Sequence, residues 1–230
     1  FYYLTGSAAD GGQTVFSPKI SIWRSRDMNA WERARVIDSG PRAARSPEIH
    51  YLDGAFWLAL GLEGGGCDLI RFDTADLATS AFQRARIAER GEDPSIFLDG
   101  DGAWYWLMGA GEIARMKPNP LDGLAEPPKA LVQPLQGALR SAAMRGAHMV
   151  KIRGYYHLFV GERRLRHGDL GRTGLPGGTD DVFVAVSSKP DSGFEGRRYL
   201  AFPHAGQTTL FRDAQDSLWA TYSCTDERGV

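Results

Sequence analysis

The chain has 230 residues, 43% apolar, 24% charged and 11% aromatic, with a formal net charge of −1. That balance is globular, with length enough for a sizeable core, and it gives no whole-chain field to attract nucleic acid or an anionic membrane. No apolar run reaches the roughly 20 residues of a bilayer span, and two cysteines, Cys67 and Cys224, make neither a disulfide framework nor a metal knuckle.

Phe1 to Thr5 reads as a strand already under way, with no signal peptide ahead of it. A polar loop follows over Ala8 to Pro18, then an alternating strand from Ile20 to Arg24. Arg45 to Leu52, RSPEIHYL, opens a second strand group. The stretch Gly91 to Gly109, GEDPSIFLDGDGAWYWLMG, holds an Asp-Pro step, an apolar strand, an Asp/Gly turn and an aromatic strand. Asp-Gly between two apolar runs is a strong hairpin signal. The Asp99-Gly100-Asp101-Gly102 turn mimics the start of a calcium loop, but it lacks the later acidic ligands and is read as a hairpin turn. Lys117 to Pro134 carries five prolines and is expected to be an irregular connector. Glu162 to Asp181 is a long polar, Arg-rich loop, and Thr225 to Val230 trails off after a strand. Both termini are expected to be truncated, and the two cysteines to be buried free thiols.

The hairpins repeat. Gly54 and Gly61, Gly102 and Gly109, and Gly154 and Gly161 are each seven apart, with Phe56, Trp104 or Tyr156 two places after the first. Ser217, Trp219 and Cys224 fit a fourth copy, and Phe1 with Gly6 a fifth. The aromatic positions 1, 56, 104, 156 and 219 are 55, 48, 52 and 63 residues apart. Short strands repeating near every ~50 residues, with no convincing helix, predict an all-β, five-bladed β-propeller in a single domain over residues 1–230. The Asp-turn phrase Arg24 to Val36 resembles Arg71 to Ile87, and more loosely Ser187 to Phe194, as outer hairpins of such blades. Inner strands are expected to start at Pro47, Pro94 and Ala147. The residues around those starts, Arg45, Ser46, Glu48, Glu92, Asp93, Arg145 and His148, with His204 in the last blade, are expected to gather at the propeller axis as a small-ligand site.

The phrases FYYLTGS, RSPEIHYLDGAFWLAL, EDPSIFLDGDGAWYW, GAHMVKIRGYYHLF and HAGQTTLFRDAQDSLWATY fall in an order that resembles glycoside hydrolase family 43 over nearly the whole length. The resemblance implies an inverting arabinofuranosidase or β-xylosidase type of enzyme with three axial carboxyl groups. Inversion places acid and base roughly 6.5–9.5 Å apart, with a water between base and sugar. Asp93, in the DPS step, inherits the carboxylate that raises the acid's pKa and orients it. The base is expected upstream of residue 1. The acid's step reads Arg145-Gly146-Ala147, and an arginine is no proton donor, since its pKa exceeds about 12. His148, Glu162 and Glu48 are the candidate substitutes for it.

Arg145, Arg45, His50 and Glu162 are candidate substrate contacts. A guanidinium fork at Arg145 suits a carboxylate-bearing sugar. Trp57, Trp23 and Trp106 are candidate stacking faces. The implied ligand is an oligo- or polysaccharide, with no nucleic acid or membrane partner and with secretion or a periplasmic location. No cofactor is required. His204 matches an axial histidine that often faces a cation or water cluster, for which calcium is the expected ion. The lost acid also supports an inactive carbohydrate-binding propeller, and a propeller serving protein contacts is a further reading.

Overall fold

The computed structural model describes residues 1–7, 17–74, 76–109, 111–132, 141–165, 178–196 and 198–224. They form antiparallel sheets, with no α-helix among the described residues and one 3₁₀ turn, Pro120–Asp122. The sheets follow one another along the chain. The first holds β1 (Tyr2–Ser7), β2 (Lys19–Ser25) and β3 (Glu32–Asp38). The second holds β4 (Ala44–Leu52), β5 (Ala55–Leu62), β6 (Cys67–Phe72) and β7 (Phe82–Ala88), paired in that order. The third runs β11-β10-β9-β8, from β8 (Ser95–Leu98), β9 (Trp104–Met108), β10 (Glu112–Arg115) and β11 (Lys129–Ala130). The fourth holds β12 (Ser141–Ile152), β13 (Tyr155–Leu165), β14 (Gly178–Ser187) and β15 (Tyr199–Phe202). The last is a hairpin of β16 (Ala205–Arg212) and β17 (Leu218–Cys224). Four sheets thus have three or four strands, and two strands stand where a fifth blade was expected.

Turn chemistry sets the hairpins. Leu52 pairs with Ala55 across Asp53-Gly54, at φ +50° and +72°. Ile152 pairs with Tyr155 across Arg153-Gly154, at φ +50° and +85°. Two consecutive left-handed residues are the signature of the type I′ turn, whose twist matches that of the strands it joins. In the Asp99–Gly102 turn the carboxylates are spent on backbone: Asp99 Oδ1 accepts from Gly100 N–H at 2.7 Å and Asp101 Oδ1 from Ala103 N–H at 2.9 Å. The turn is a hairpin turn, as its sequence suggests.

The chain divides into two compact units, Phe1–Trp106 with Arg115–Glu126, and Leu107–Ala114 with Pro127–Val230. In the first, β5 is buried along its whole length, and Ile20, Ile22, Leu58, Leu60, Ile70 and Phe72 pack into one core. Trp57 and Trp106, considered as sugar-stacking faces, are core residues at 4% and 0% exposure. The first two outer hairpins have the predicted Asp turns. Asp27 accepts from Asn29 and Ala30 N–H at 2.9 Å each, and Asp76 from Ala78 N–H at 3.2 Å. Asp68 is buried between Arg84 and Arg86. Cys67 is a buried free thiol, while the side chain of Cys224 lies outside the described residues.

In the second unit Phe159, Val182, Ala205 and Leu210 form the core, with Phe202 stacked between Phe159 and Tyr222. Two expectations need correction. The connector after Lys117 is not wholly irregular, since it forms the 3₁₀ turn and supplies β11. The inner strands β4 and β12 begin at Ala44 and Ser141, several residues ahead of Pro47 and Ala147. Pairing resumes on the near side of a bulge, for a reason that also shapes the site. Most of the Glu162–Asp181 loop, residues 166–177, lies outside the described residues.

Candidate functional site

One backbone feature recurs at the start of the inner strands. Ser46, Asp93, Gly146 and Gln207 all adopt left-handed φ, at +44°, +48°, +62° and +47°. Each precedes the residue that begins the apolar run: Pro47, Pro94, Ala147 and Thr208. In β4, β12 and β16 the register slips at this point, between Arg45 and Glu48, Arg145 and His148, and Gly206 and Thr209. A non-glycine residue in this region carries strain, typically of order 1 kcal/mol, and persists only where its surroundings over-determine it.

One of the repeated glycines acquires its reason here. A Cβ on Gly61 would lie 3.5 Å from both the Arg45 carbonyl and Pro94 Cδ. On Gly161 it would lie 3.1 Å from the Arg145 carbonyl and 3.8 Å from Gln207 N. At Gly161 the second strand passes so close to the bulge of the first that a Cβ would press on backbone, whereas at Gly61 it would make an ordinary van der Waals contact.

In the first unit two neighbouring strand starts meet through side chains. The Ser46 hydroxyl donates to Asp93 Oδ1. One residue earlier Arg45 Nη1 lies 3.5 Å from Glu92 Oε1. Past the bulge, Glu48 Oε1 and His50 Nε2 are 3.1 Å apart on one face of β4, both partly buried. This corner therefore holds a fixed carboxylate, a serine donor, an arginine with its exposed glutamate and a carboxylate–imidazole pair. It can orient an anion, bond sugar hydroxyls and move a proton. Cys67 contributes no nucleophile, because burial first, and then the charges of Asp68 and Asp93, push its thiol up to about 12.

In the second unit Arg145 stands on β12, where Arg45 stands on β4. Gly146 has no room for a side chain, since its Cβ would meet Gln207 Cα at 2.7 Å. His148 is 3% exposed and its Nε2 lies 3.2 Å from the Leu210 carbonyl. Glu162, 1% exposed, is paired with Arg198. His204 is exposed in the β15–β16 turn, and its backbone N–H donates to Asp181 Oδ1 at 2.9 Å. The residue of β16 that repeats the left-handed position is Gln207, three places later. Sequence reading passed it over because a histidine was sought; the step Gly206-Gln207-Thr208-Thr209 ahead of Leu210-Phe211 matches Glu92-Asp93-Pro94-Ser95 ahead of Ile96-Phe97 and could have found it. Arg198 was missed for want of any local signal, lying 36 residues from Glu162. Among the described residues no three His, Cys, Asp or Glu side chains are placed to hold a metal ion. Among them, too, no helix is long and apolar enough to cross a membrane.

No curated protein matches the chain. Among solved structures it is similar to the bifunctional GH43-CE protein of Bacteroides eggerthii, at 19% identity and a TM-score of 0.73 over 96% of this chain and 29% of that one. It is similar to the xylan beta-1,4-xylosidase of Bacillus halodurans, at 19% identity and a TM-score of 0.65 over 97% of this chain and 46% of that one. It is similar too to the native arabinanase of Bacillus subtilis, at 13% identity and a TM-score of 0.68 over 96% and 89%. The chain thus spans less than half the length of the first two. At these identities the likeness is one of fold, and the fold is an all-β propeller in which the four larger sheets are blades. The model of glycosyl hydrolases family 43 matches residues 1–230. The left-handed strand starts, the aromatic hairpins and this end-to-end match lead to one conclusion: the chain belongs to glycosyl hydrolases family 43.

Proposed function

We propose that this protein hydrolyses O-glycosidic bonds of arabinose-type, xylose-type or acidic sugars, with inversion, and that the β16–β17 hairpin is the inner part of a fifth blade. The observation that carries the reading is Asp93, a carboxylate of a DPS step held at φ +48° and bonded by Ser46. In this reading Asp93 is the supporting carboxylate. Its negative charge favours the protonated form of a nearby acid, which keeps that acid ready to protonate the leaving oxygen. Glu48 takes the acid role, because His148 and Glu162 are enclosed at 3% and 1% exposure, whereas Glu48 is partly exposed and next to His50. Arg45, on the same unit as Asp93 and Glu48, orients the sugar, and a guanidinium favours a substrate bearing a carboxylate. The proposed chemistry uses no cofactor.

The test is turnover of alkyl and aryl α-L-arabinofuranosides and β-D-xylosides by the whole protein and by Glu48→Gln and Asp93→Asn. A general acid contributes on the order of 10²- to 10⁴-fold, so Glu48→Gln loses most with alkyl glycosides and least with 4-nitrophenyl ones, whose leaving group needs little protonation. Asp93→Asn loses activity with both. Equal turnover by all three proteins refutes these roles. Arg145, standing where the family motif has its acid, favours a second reading, a carbohydrate-binding propeller without turnover. In that case calorimetry finds saturable binding of an acidic oligosaccharide, weakened by Arg145→Ala, and no product.

A further inference from the structure

Ser46 is neither a carboxylate nor a histidine, and glycoside chemistry does not call for a serine. Yet it is held at φ +44° inside β4, where pairing continues on both sides. No turn requires that conformation there. What it achieves is an aim: the hydroxyl reaches Asp93 Oδ1 on the next inner strand start. The equivalent junction of the second unit shows that the fold does not need this bond. There Gly146 has no side chain and packs directly on the backbone of Gln207. A side-chain donor at position 46 is therefore an addition to the architecture, and it is spent on the carboxylate most closely tied to the chemistry.

Resting on the hydrolase reading above, we propose that Ser46 is a positioning residue: its hydroxyl fixes the Asp93 carboxylate in the orientation its supporting role requires. A carboxylate turns about its Cβ–Cγ bond unless donors hold it, and a charge that turns away from the acid loses much of its influence. Arg45 and Glu92, 3.5 Å apart one residue earlier, join the same two strand starts at the surface. Orientation of this kind acts on the reaction more than on substrate affinity.

Two variants separate this role from a structural one. Ser46→Ala removes the hydroxyl and keeps the left-handed strain, whereas Ser46→Gly removes both. As a structural residue, Ser46 would give opposite effects on function, following opposite effects on stability. As a positioning residue it gives the same loss in both, with kcat down on the order of 10-fold and KM within about twofold. In an Asp93→Ala background neither variant costs anything further. Independently of turnover, the side-chain carboxyl ¹³C resonance of Asp93, identified by its absence from Asp93→Ala, moves in both Ser46 variants. An unmoved resonance, or an equal kcat loss in the Asp93→Ala background, overturns the proposal. If the unaltered protein turns over no glycoside, the hydrolase reading fails, and the carboxyl resonance still decides whether Ser46 holds Asp93.

Discussion

The closest approach to backbone in the second unit gives the sharpest stability prediction. Gly146 is at φ +62°, and a Cβ there would sit 2.7 Å from Gln207 Cα and 3.2 Å from Gln207 N. Both are backbone atoms of a residue itself held at φ +47°, so neither can swing aside. Gly154 is the control. It has φ +85° in the hairpin turn of the same sheet, with nothing within 4 Å of the built Cβ. Gly154→Ala bears only the left-handed cost, about 1 kcal/mol. Gly146→Ala bears that cost plus overpacking of about 1–3 kcal/mol, a total near 3 kcal/mol. For a chain of this size each kcal/mol moves Tm by roughly 2–4 °C, so the expected drops are about 3 °C for Gly154→Ala and about 9 °C for Gly146→Ala. Thermal unfolding can be followed by ¹⁹F NMR of 5-fluorotryptophan-labelled protein. Of the six tryptophans, Trp219 alone belongs to the second unit, so its resonance reports the unit in which both glycines lie. Equal drops for the two variants would refute the argument that backbone contact with Gln207 excludes a side chain.

Asp68→Asn leaves Arg84 and Arg86 facing a neutral amide; because both arginines are about a third exposed, the expected cost is about 2 kcal/mol, short of a fully buried pair, measured by urea unfolding. Cys67 resists thiol reagents at pH 8 until the protein opens. An unfolded cysteine ionises near ~8.5 and the folded one near about 12, so its contribution to stability is complete below the lower value and fades as pH rises through the higher. Denaturation midpoints across that alkaline window check the sign. The Trp219 indole N–H, which donates to Asp213 Oδ2 at 2.7 Å, is the main cause holding that carboxyl below the usual aspartate range. The bond therefore persists from neutral pH down through the range where free aspartates protonate, and breaks only below it. A Trp219 ¹⁹F shift already titrating near pH 4 contradicts this.

The repeat was legible because glycine spacing and aromatic position are local and survive in the text of the chain. Gly54, Gly102 and Gly154 announce turns by residue type alone, and Gly161, paired with Gly154, marks where two strands press together. The left-handed positions were not legible in the same way. Serine, aspartate, glycine and glutamine occupy them in turn, so no residue type marks them; Gln207 is reachable only through its flanking step, and hydrogen-bond register then makes it the counterpart of Ser46. Asp93 was found because its proline and serine neighbours form a recognisable step. Ser46 was placed in the right region, but its bond to Asp93 joins residues 47 apart and has no sequence signature. Glu162 reads as a candidate ligand residue, and its buried partner Arg198, 36 residues on, has no signal near it in the chain.

The bulged strand starts also bear on how such a protein can be altered. In an ordinary strand a new side chain falls on one face of the sheet or the other, and its size is judged by whatever packs there. At Ser46 the backbone leaves the pleat for one residue, so the side chain is answerable to Asp93 at the next strand start and not to the core. This is a place where a side chain can be exchanged while the hydrophobic pattern stays untouched. Gly146 is the counterexample, closed to exchange by the backbone beside it. Redesign would begin at Ser46 and leave Gly146 alone.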